Sequence, residues 1–337
     1  MEKNTPFSSA VVSEVSANEV RQRRMPGVAE EAFAGRLGGN QEFILDRNDE
    51  DTKGLLKRHP DAAPIHTFAD ILHLEGFLSP GLWRMAIVEG WGTFLLICLF
   101  GTTSSGLTTL GMNGMATSLY ASLGGFLGLM LFTFALGPVS GAHLNPTITM
   151  AAFFAGLCTF PRTVLYIAAQ SIGGIVAGYW LKLGLGDAYY PHNVIPGCTV
   201  DPTLVSPGQM FALEYMFAQA LIFLAFLIGL DPRQGKSVGP TLGPVLVGLI
   251  LGFGTFASAI ARPGYTGMSF NPARCLGMMA AKGDMQYHYV HWLGPFAATF
   301  FHGIFYHFNP PWASEEPLFG RALAFFGLWH PPKDSDV

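Results

Sequence analysis

Two short stretches of this chain have nearly the same form: Ser-Gly-Ala-His-Leu-Asn-Pro-Thr at 140–147 and Thr-Gly-Met-Ser-Phe-Asn-Pro-Ala at 266–273. Asn followed by Pro is a helix-start signal, because Asn caps the first turn and Pro lacks the N–H that would remain unpaired there. Each stretch follows a long apolar segment and is too short to cross a bilayer. A helix that begins inside a membrane is tolerated only where its backbone is buried in protein or lines a polar cavity. Two such starts, one in each half of the chain, predict a pore.

The composition is that of a membrane protein. Half of the 337 residues are hydrophobic and only 12% are charged, whereas soluble proteins carry about 25% charged residues. The net charge of −4 gives no indication of a nucleic-acid partner, and the first 80 residues contain no apolar stretch of signal-peptide type. The four cysteines show no zinc or redox spacing, and no nucleophile–base set is visible. We therefore expect no metal, no cofactor and no enzymatic activity.

The chain divides into a polar N-terminal tail (1–80), an apolar central domain (81–310) and a C-terminal tail (311–337). The polar composition predicts a largely disordered N-terminal tail, with an interfacial segment near Phe68–Leu78. The central domain contains apolar spans of roughly 20 residues, each long enough to cross a hydrocarbon core of about 30 Å. The six predicted spans are Trp83–Ser104, Ala116–Gly137, Arg162–Leu183, Met210–Leu230, Pro240–Ile260 and Tyr287–Phe308.

The two halves of the central domain repeat each other. Asn145 follows Glu89 of the first span by 56 positions, and Asn271 follows Glu214 of the fourth span by 57. With three spans in each half, the second repeat (210–308) must enter the membrane from the side opposite to the first (83–183). The sequence therefore predicts an inverted repeat, which places a shared site near the bilayer midplane.

The distribution of basic residues predicts the orientation. The N-terminal tail holds nine of the nineteen Lys and Arg residues, and Arg162, Arg233 and Lys236 are predicted in short loops on the same side. Basic residues are enriched on the cytoplasmic side of membrane proteins, so both termini are expected to be cytoplasmic.

The two Asn-Pro motifs can exclude cations while accepting neutral solutes. A helix N-terminus carries about half an elementary positive charge, so two of them meeting at the midplane repel cations, including hydronium. The amides of Asn145 and Asn271 can cap the backbone through their oxygens and point N–H donors into the lumen. After Pro146 and Pro272, the first motif has Thr147 where the second has Ala273; we expect the Thr147 hydroxyl to bond a nearby carbonyl.

These motifs resemble those of the major intrinsic protein superfamily, the aquaporins and aquaglyceroporins. The resemblance covers about residues 83–308 and includes both Asn-Pro motifs, the paired Glu89 and Glu214, and the run 271–274. It implies six transmembrane helices plus two re-entrant half-helices, and a homotetramer in the cell membrane with one pore in each subunit. Cys275 after the Arg of the second motif, together with Thr147, resembles the X intrinsic proteins of plants and fungi.

The resemblance also implies a selectivity filter. Two residues are candidates for the filter position on the fifth span. Counting from Gly243-Pro244 indicates Thr255, whereas counting back from Tyr265 indicates Ala259. Thr255 is preferred, because the extra residues at 261–264 are expected in the loop. The constriction should be wider than in a strict water channel, because a glycine occupies the place of the bulky aromatic residue of most members. The filter candidates are Gly125, Thr255 or Ala259, Met268 and Arg274.

Two glutamates in apolar spans require partners, because an unpaired acid at the bilayer centre costs about 3 kcal/mol by insertion scales. Glu89 and Glu214 are either proton relays or supports that accept backbone N–H groups from the re-entrant loops. We favour the supporting role, because the pair is symmetric and a relay would defeat the barrier to protons. His143 is interpreted as a residue that packs the first loop.

Cys198 and Cys275 are both expected near the extracellular face. A disulfide between them would tie the long loop 184–209 over the mouth of the pore. Two free thiols are an equally acceptable interpretation.

The leading functional hypothesis is a passive channel for small uncharged solutes such as glycerol, hydrogen peroxide, urea or boric acid, with water also passing. The alternatives are a water channel with little solute flux and a junction or scaffold protein with a closed pore. Intact Asn145, Asn271 and Arg274 argue against the closed pore.

Overall fold

The computed structural model describes residues 33–39, 44–45, 50–65, 67–188, 190 and 195–308. This part of the chain is almost entirely helical, and its only β-type pairing is an isolated bridge between Val200 and Tyr265. The predicted C-terminal tail, from residue 311, lies outside the described residues.

Ten α-helices form the described part of the chain. Short 3₁₀ turns precede them or connect them at Glu50–Thr52, Pro60–Ala62 and Leu74–Leu78. In chain order the helices are α1 (Lys53–Arg58), α2 (Phe68–Leu72), α3 (Pro80–Thr109), α4 (Gly114–Ser140), α5 (Pro146–Phe154), α6 (Phe160–Leu185), α7 (Pro207–Ala225), α8 (Pro232–Ala259), α9 (Pro272–Lys282) and α10 (Val290–Phe308).

Six of these helices are the predicted spans, and α5 and α9 are the two short helices that follow the Asn-Pro motifs. Helices α3, α4, α6, α7 with its π-helical extension Phe226–Leu230, and α8 are each long and apolar enough to cross a membrane. Helix α10 is less apolar than these five, because its 19 residues include His291, His302 and His307. The protein is an integral multi-pass membrane protein.

Several helices begin outside the apolar stretch that predicted them, because capping residues lie in the polar flanks. The side chains of Ser79, Asn113 and Ser206 accept hydrogen bonds from the first turns of α3, α4 and α7. The fifth predicted span begins at Pro240, immediately after a non-helical residue, Gly239, which breaks α8 at φ 78°. Composition thus located the apolar part of each transmembrane helix, whereas capping residues determine where the helix begins.

The packing has the two-fold pattern of an inverted repeat. In the first repeat α3 packs against α6, and in the second α7 packs against α10. The two repeats join through α4 against α8. The short helices cross over: α5 packs on α10 of the other repeat, and α9 packs on α6. A side chain at Gly277 of α9 would collide with the backbone carbonyl of Gly174 in α6, so these two helices touch backbone to backbone.

Within the predicted N-terminal tail, the structure describes residues 33–39, 44–45, 50–65 and 67–80, which pack against the helices; the rest of the range predicted to be disordered lies outside the described residues. Phe33, Ala34 and Leu37 are almost completely buried. Arg162, predicted as a loop charge, is only 3% exposed and pairs with Asp61 (Nε to Oδ2, 2.7 Å). The average composition of the tail concealed a few apolar residues that pack individually against the helix ends. Residues 68–78 form α2 and a 3₁₀ turn, with exposed Phe68, Leu74 and Leu78.

Candidate functional site

The N-termini of α5 and α9 meet inside the bundle through their two asparagines. The amide nitrogen Nδ2 of Asn145 donates to the carbonyl oxygen of Phe270 (2.6 Å), and Nδ2 of Asn271 donates to that of Leu144 (2.7 Å). Each asparagine therefore bonds the residue that precedes the other one. The two helix starts are brought together as the repeat predicted.

Both asparagines also cap their own helices. Oδ1 of Asn145 accepts from the Thr147 N–H (2.9 Å), and Oδ1 of Asn271 accepts from the N–H groups of Ala273 (3.0 Å) and Arg274 (3.4 Å). Pro146 and Pro272 occupy the first helical positions. One hydrogen of each amide is used on the opposite carbonyl, so one N–H for each asparagine remains for the lumen, fewer than the sequence suggested.

A cavity of about 370 Å³ passes beside the two asparagines, and both line it. The bundle has two opposite faces. Residues 33–39 contact the end of α4 at the N-terminal face, and Cys198 lies at the disulfide face. Hydroxyl groups are concentrated in the half nearer the disulfide face, on Thr103, Ser104, Thr117, Ser118, Thr255, Ser258 and Thr266. Apolar side chains are contributed by Leu37, Leu129, Ile148, Leu221, Val247, Ile250 and Leu251.

All five filter candidates line this cavity: Gly125, Thr255, Ala259, Met268 and Arg274. Thr255 faces Gly125, because a Cβ built on Gly125 would lie 3.7 Å from the Thr255 hydroxyl. Ala259 lies one turn further on and contacts Gly267 instead. Helix α8 ends at Ala259, so the extra residues 261–264 are in the loop. This geometry supports Thr255 as the residue opposite Gly125.

Arg274 is held by backbone carbonyls on two sides. Its Nη1 donates to Pro196 (2.7 Å) and its Nη2 donates to Ser269 (3.0 Å). The guanidinium is thus fixed in the cavity wall between the second re-entrant loop and the long loop after α6. A fixed guanidinium presents a permanent positive charge and directional donors to the lumen.

Cys198 and Cys275 form a disulfide across 77 positions of sequence. The bond joins the residues next to Gly197 and Arg274, so it fixes the loop whose Pro196 carbonyl holds the guanidinium. Of the two interpretations left open by the sequence, the structure contains the bonded one.

Replacing Cys198 by Ser should lower the stability of the folded protein by about 2–4 kcal/mol, because the closed loop no longer restricts the unfolded chain. The measurement is the thermal midpoint in detergent under oxidising conditions. The matched control is Cys98→Ser, which removes a free thiol and should change stability by less than about 0.5 kcal/mol. Equal midpoints for the two variants would contradict the prediction.

Each buried glutamate holds one re-entrant loop. Glu89 accepts from the Ser140 hydroxyl (2.6 Å), the His143 N–H (3.0 Å), the Leu144 N–H and the Gln170 amide (2.9 Å). Neither Glu89 nor Glu214 lines the cavity. The equivalent partners of Glu214 are the Tyr265 hydroxyl and the N–H and hydroxyl of Ser269. This arrangement supports the loop-holding interpretation over the proton relay.

His143 is 1% exposed and connects the first loop to its surroundings. Its Nδ1 contacts the Thr149 hydroxyl (3.1 Å), and its Nε2 donates to the Gly35 carbonyl (2.5 Å). The ring therefore packs the loop, as the sequence suggested, but one of its partners comes from the N-terminal tail.

The prediction that the Thr147 hydroxyl bonds a nearby carbonyl is wrong. The side chain is fully buried, and its hydroxyl has no hydrogen-bond partner among the described residues. The helix nevertheless begins at Pro146, because Asn145 supplies the cap.

Thr147→Val should therefore raise the thermal midpoint in detergent, because it replaces an unpaired buried hydroxyl by a methyl group of similar size, and such a hydroxyl costs about 1–3 kcal/mol. Thr147→Ser is the control: it keeps the hydroxyl and loses the methyl group, so its midpoint should fall. A lower midpoint for the Val variant would show that the hydroxyl is satisfied.

Residues missed by the sequence complete the cavity wall. Leu37 belongs to a segment that composition assigned to a polar tail, although Phe33 and Leu37 stand four residues apart with Gly35, Gly38 and Gly39 around them, a pattern suited to close packing. Of the remaining lining hydroxyls, that of Thr266 belongs to the second Asn-Pro stretch, and the others lie on helix positions that no motif marks.

The comparisons with known proteins agree with this architecture. Residues 77–306 match the family model for the major intrinsic proteins. The chain is 32% identical over 222 residues to aquaporin TIP4-3 of Zea mays, covering 65% of this chain and 84% of that protein. It is 38% identical over 160 residues to probable aquaporin TIP4-2 of Oryza sativa subsp. japonica, covering 47% of this chain but only 57% of the rice protein.

The fold also resembles that of a solved structure, the aquaglyceroporin from Plasmodium falciparum. The TM-score is 0.55 at 24% identity, with 67% of this chain and 95% of that chain covered. The family model covers well over half of the chain, and its range contains both Asn-Pro motifs and all the filter candidates. The chain belongs to the major intrinsic protein family.

Proposed function

We propose that this protein is a passive channel for small uncharged solutes and water that excludes protons and ions. The observation that carries the proposal is the single cavity that joins the two asparagine-capped helix starts to Gly125, Thr255 and Arg274. Neutral molecules with lone pairs can accept hydrogen bonds from the Asn and Arg side chains one after another as they pass. Cations instead meet two positive helix ends and a guanidinium, which repel them.

The part of the cavity wall that contains Gly125 supports the proposed solute class. Gly125 has no side chain, and Thr255 beyond it presents a hydroxyl rather than an aromatic ring. Together with the hydroxyls toward the disulfide face, this wall offers width and hydrogen-bonding groups to glycerol, hydrogen peroxide, urea or boric acid. A water channel with little solute flux would require a narrower constriction here.

The proposal includes a homotetrameric assembly and location in the cell membrane, which the resemblance implies. It also includes cytoplasmic placement of both termini, with the N-terminal face inside, which the distribution of basic residues indicates. Cys275 and Thr147 further suggest the X intrinsic subfamily, whereas the relatives described above are of TIP type.

Stopped-flow swelling of proteoliposomes with water, glycerol and hydrogen peroxide in parallel tests the proposal. Glycerol and peroxide permeabilities well above those of protein-free vesicles are expected, with no proton leak reported by an enclosed pH-sensitive dye. Water flux without glycerol or peroxide flux would instead establish the water-selective alternative.

A further inference from the structure

A short piece of the N-terminal tail, residues 33–39, is built into the N-terminal face of the bundle; it is called the N-terminal segment below. Phe33 and Ala34 are fully buried, Leu37 is 2% exposed and Arg36 is 3% exposed. The segment lies outside residues 77–306, the range that matches the family. It is therefore an addition to the channel domain and not part of the repeat.

The segment is hydrogen-bonded to the loop that carries Asn145. The N–H groups of Leu37 (2.9 Å) and Gly38 (3.2 Å) both donate to the carbonyl oxygen of Gly141, the residue that ends α4. The Gly35 carbonyl accepts from His143 two residues further on. The segment thus covers the start of the first re-entrant loop, two to four residues before the asparagine.

Phe33 anchors one end of the segment. The guanidinium carbon of Arg162 lies 4.0 Å from the centroid of the Phe33 ring, a cation–π contact, and Tyr166 meets the ring edge-on. Arg162 in turn binds Asp61, whose backbone carbonyl accepts from the Ala34 N–H (2.6 Å). Burial alone would raise the pKa of Asp61, but the charge and hydrogen bonds of Arg162 outweigh it and lower the pKa below its ordinary value. The anchor therefore keeps its charge at neutral pH.

Leu37 is the one residue of the segment that lines the cavity. It belongs to the same buried apolar cluster as Leu221 and Val247, which line the cavity with it. Its backbone is held from behind, because a side chain at Gly229 would collide with the Leu37 carbonyl. An apolar side chain in a pore wall offers passing water no hydrogen bonds, and hydrophobic constrictions gate channels by dewetting.

The two faces of the bundle are covered in different ways. On the disulfide face, the loop residues around Gly197 are tied covalently to the second half-helix through Cys198 and Cys275. On the N-terminal face, the segment is held only by non-covalent contacts: hydrogen bonds, a cation–π contact and the burial of Phe33 and Leu37. The cover on the disulfide face is covalent, whereas non-covalent contacts are reversible.

We propose that the N-terminal segment is a removable stopper of the pore, with Leu37 as the residue that closes it, so that the wild-type protein conducts through the fraction of molecules whose segment is released. This inference rests on the proposed channel function.

The receiving helix offers a substitution that should displace the segment with little other effect. A Cβ on Gly137 of α4 would lie 2.6 Å from the Gly38 carbonyl carbon and 2.6 Å from the Gly39 nitrogen, and its nearest contacts are all in the segment. Ala is otherwise favoured over Gly inside a helix. Gly106→Ala is the matched control, because it is also in a transmembrane helix and its Cβ would meet nothing within 4 Å.

Two readouts on the full-length chain separate docking from closure. Trypsin cleavage after Arg36, followed by mass spectrometry in detergent, reports whether the segment is docked, and stopped-flow swelling reports permeability. In Gly137→Ala, cleavage after Arg36 and water permeability should both rise, the latter by up to about tenfold if the docked state is shifted by that factor. Gly106→Ala should change neither.

Leu37→Ser tests the closing residue itself. The substitution removes the apolar contacts of Leu37 with Leu221 and Val247, so the segment either stays docked without its closing side chain or is released, and cleavage after Arg36 reports which of the two occurs. In both cases water and glycerol permeability should rise. The stopper is ruled out if Gly137→Ala exposes Arg36 without raising permeability, if it leaves Arg36 protected, or if Leu37→Ser has wild-type permeability. Failure of the channel proposal is distinguishable: wild type and both variants would then all match protein-free vesicles.

Discussion

Gly125→Trp should abolish most glycerol flux while leaving much of the water flux. The atoms nearest to a Cβ at this position belong to Leu251 and Thr255 and lie 3.7 Å away, which is ordinary contact, so the backbone of α4 need not move. The indole ring should then extend into the cavity, which Arg274 also lines. Glycerol has to pass this ring, whereas water is much smaller, and each additional 1.4 kcal/mol of barrier lowers flux about tenfold.

The measurement is stopped-flow swelling with water and with glycerol on the same proteoliposome preparation. Leu123→Trp is the control, because Leu123 lies on the same helix with its side chain 51% exposed on the outside of the subunit. We expect the ratio of glycerol to water permeability to fall by about tenfold or more in Gly125→Trp and to remain unchanged in the control. Equal loss of both fluxes would place the constriction elsewhere.

The pore and its helices were predictable because their signals are local and repeated. Asn145-Pro146 and Asn271-Pro272 each specify a helix start by capping chemistry, and the apolar spans specify membrane crossings by length. The pairing of Glu89 and Glu214 at matching offsets revealed the repeat. Each of these inferences needs only a short window of sequence or one internal comparison.

The docking of residues 33–39 could not be predicted in this way. Its contacts join residues about one hundred positions apart, such as Gly35 with His143 and Arg36 with the carbonyl of Pro138 (3.2 Å). Two apolar residues in a polar tail do not exceed the composition of a disordered segment. Only the shape of the receiving surface, especially the absence of a side chain at Gly137, makes room for them.

The filter register and the Thr147 hydroxyl illustrate a second limit. Sequence counting left Thr255 and Ala259 open, because a loop insertion shifts the count by about one helical turn, and only the contact of Thr255 with Gly125 distinguishes them. For Thr147, a hydroxyl near a helix start usually finds a carbonyl. Here the surrounding helices bury it without one, which depends on tertiary packing alone.

Asn271→Asp should make the pore leak cations. The carboxylate would stand where the two positive helix ends meet and would offset a large part of their combined field. A unit negative charge about 8 Å from a passing cation stabilises it by about 2 kcal/mol at an effective dielectric constant near 20, which corresponds to a flux increase of about thirtyfold. The capping role of the side chain survives, because a carboxylate oxygen can accept from the Ala273 N–H as the amide oxygen does.

The substitution also removes the donor that Asn271 offers to the Leu144 carbonyl, and this loss must be separated from the added charge. Asn271→Ser is the matched control, because it keeps a capping oxygen and carries no charge. Like the Asp variant, it loses the amide group that donates to the Leu144 carbonyl. Proton leak measured with an enclosed pH-sensitive dye should rise in the Asp variant and stay at the wild-type level in the Ser variant, with both proteins retaining their assembly on size-exclusion chromatography. A leak in both variants would assign the barrier to the hydrogen-bonded contact between the half-helices. A folded Asp variant without leak would place the barrier at Arg274. The carbonyls of Pro196 and Ser269 hold its guanidinium in the wall of the same cavity.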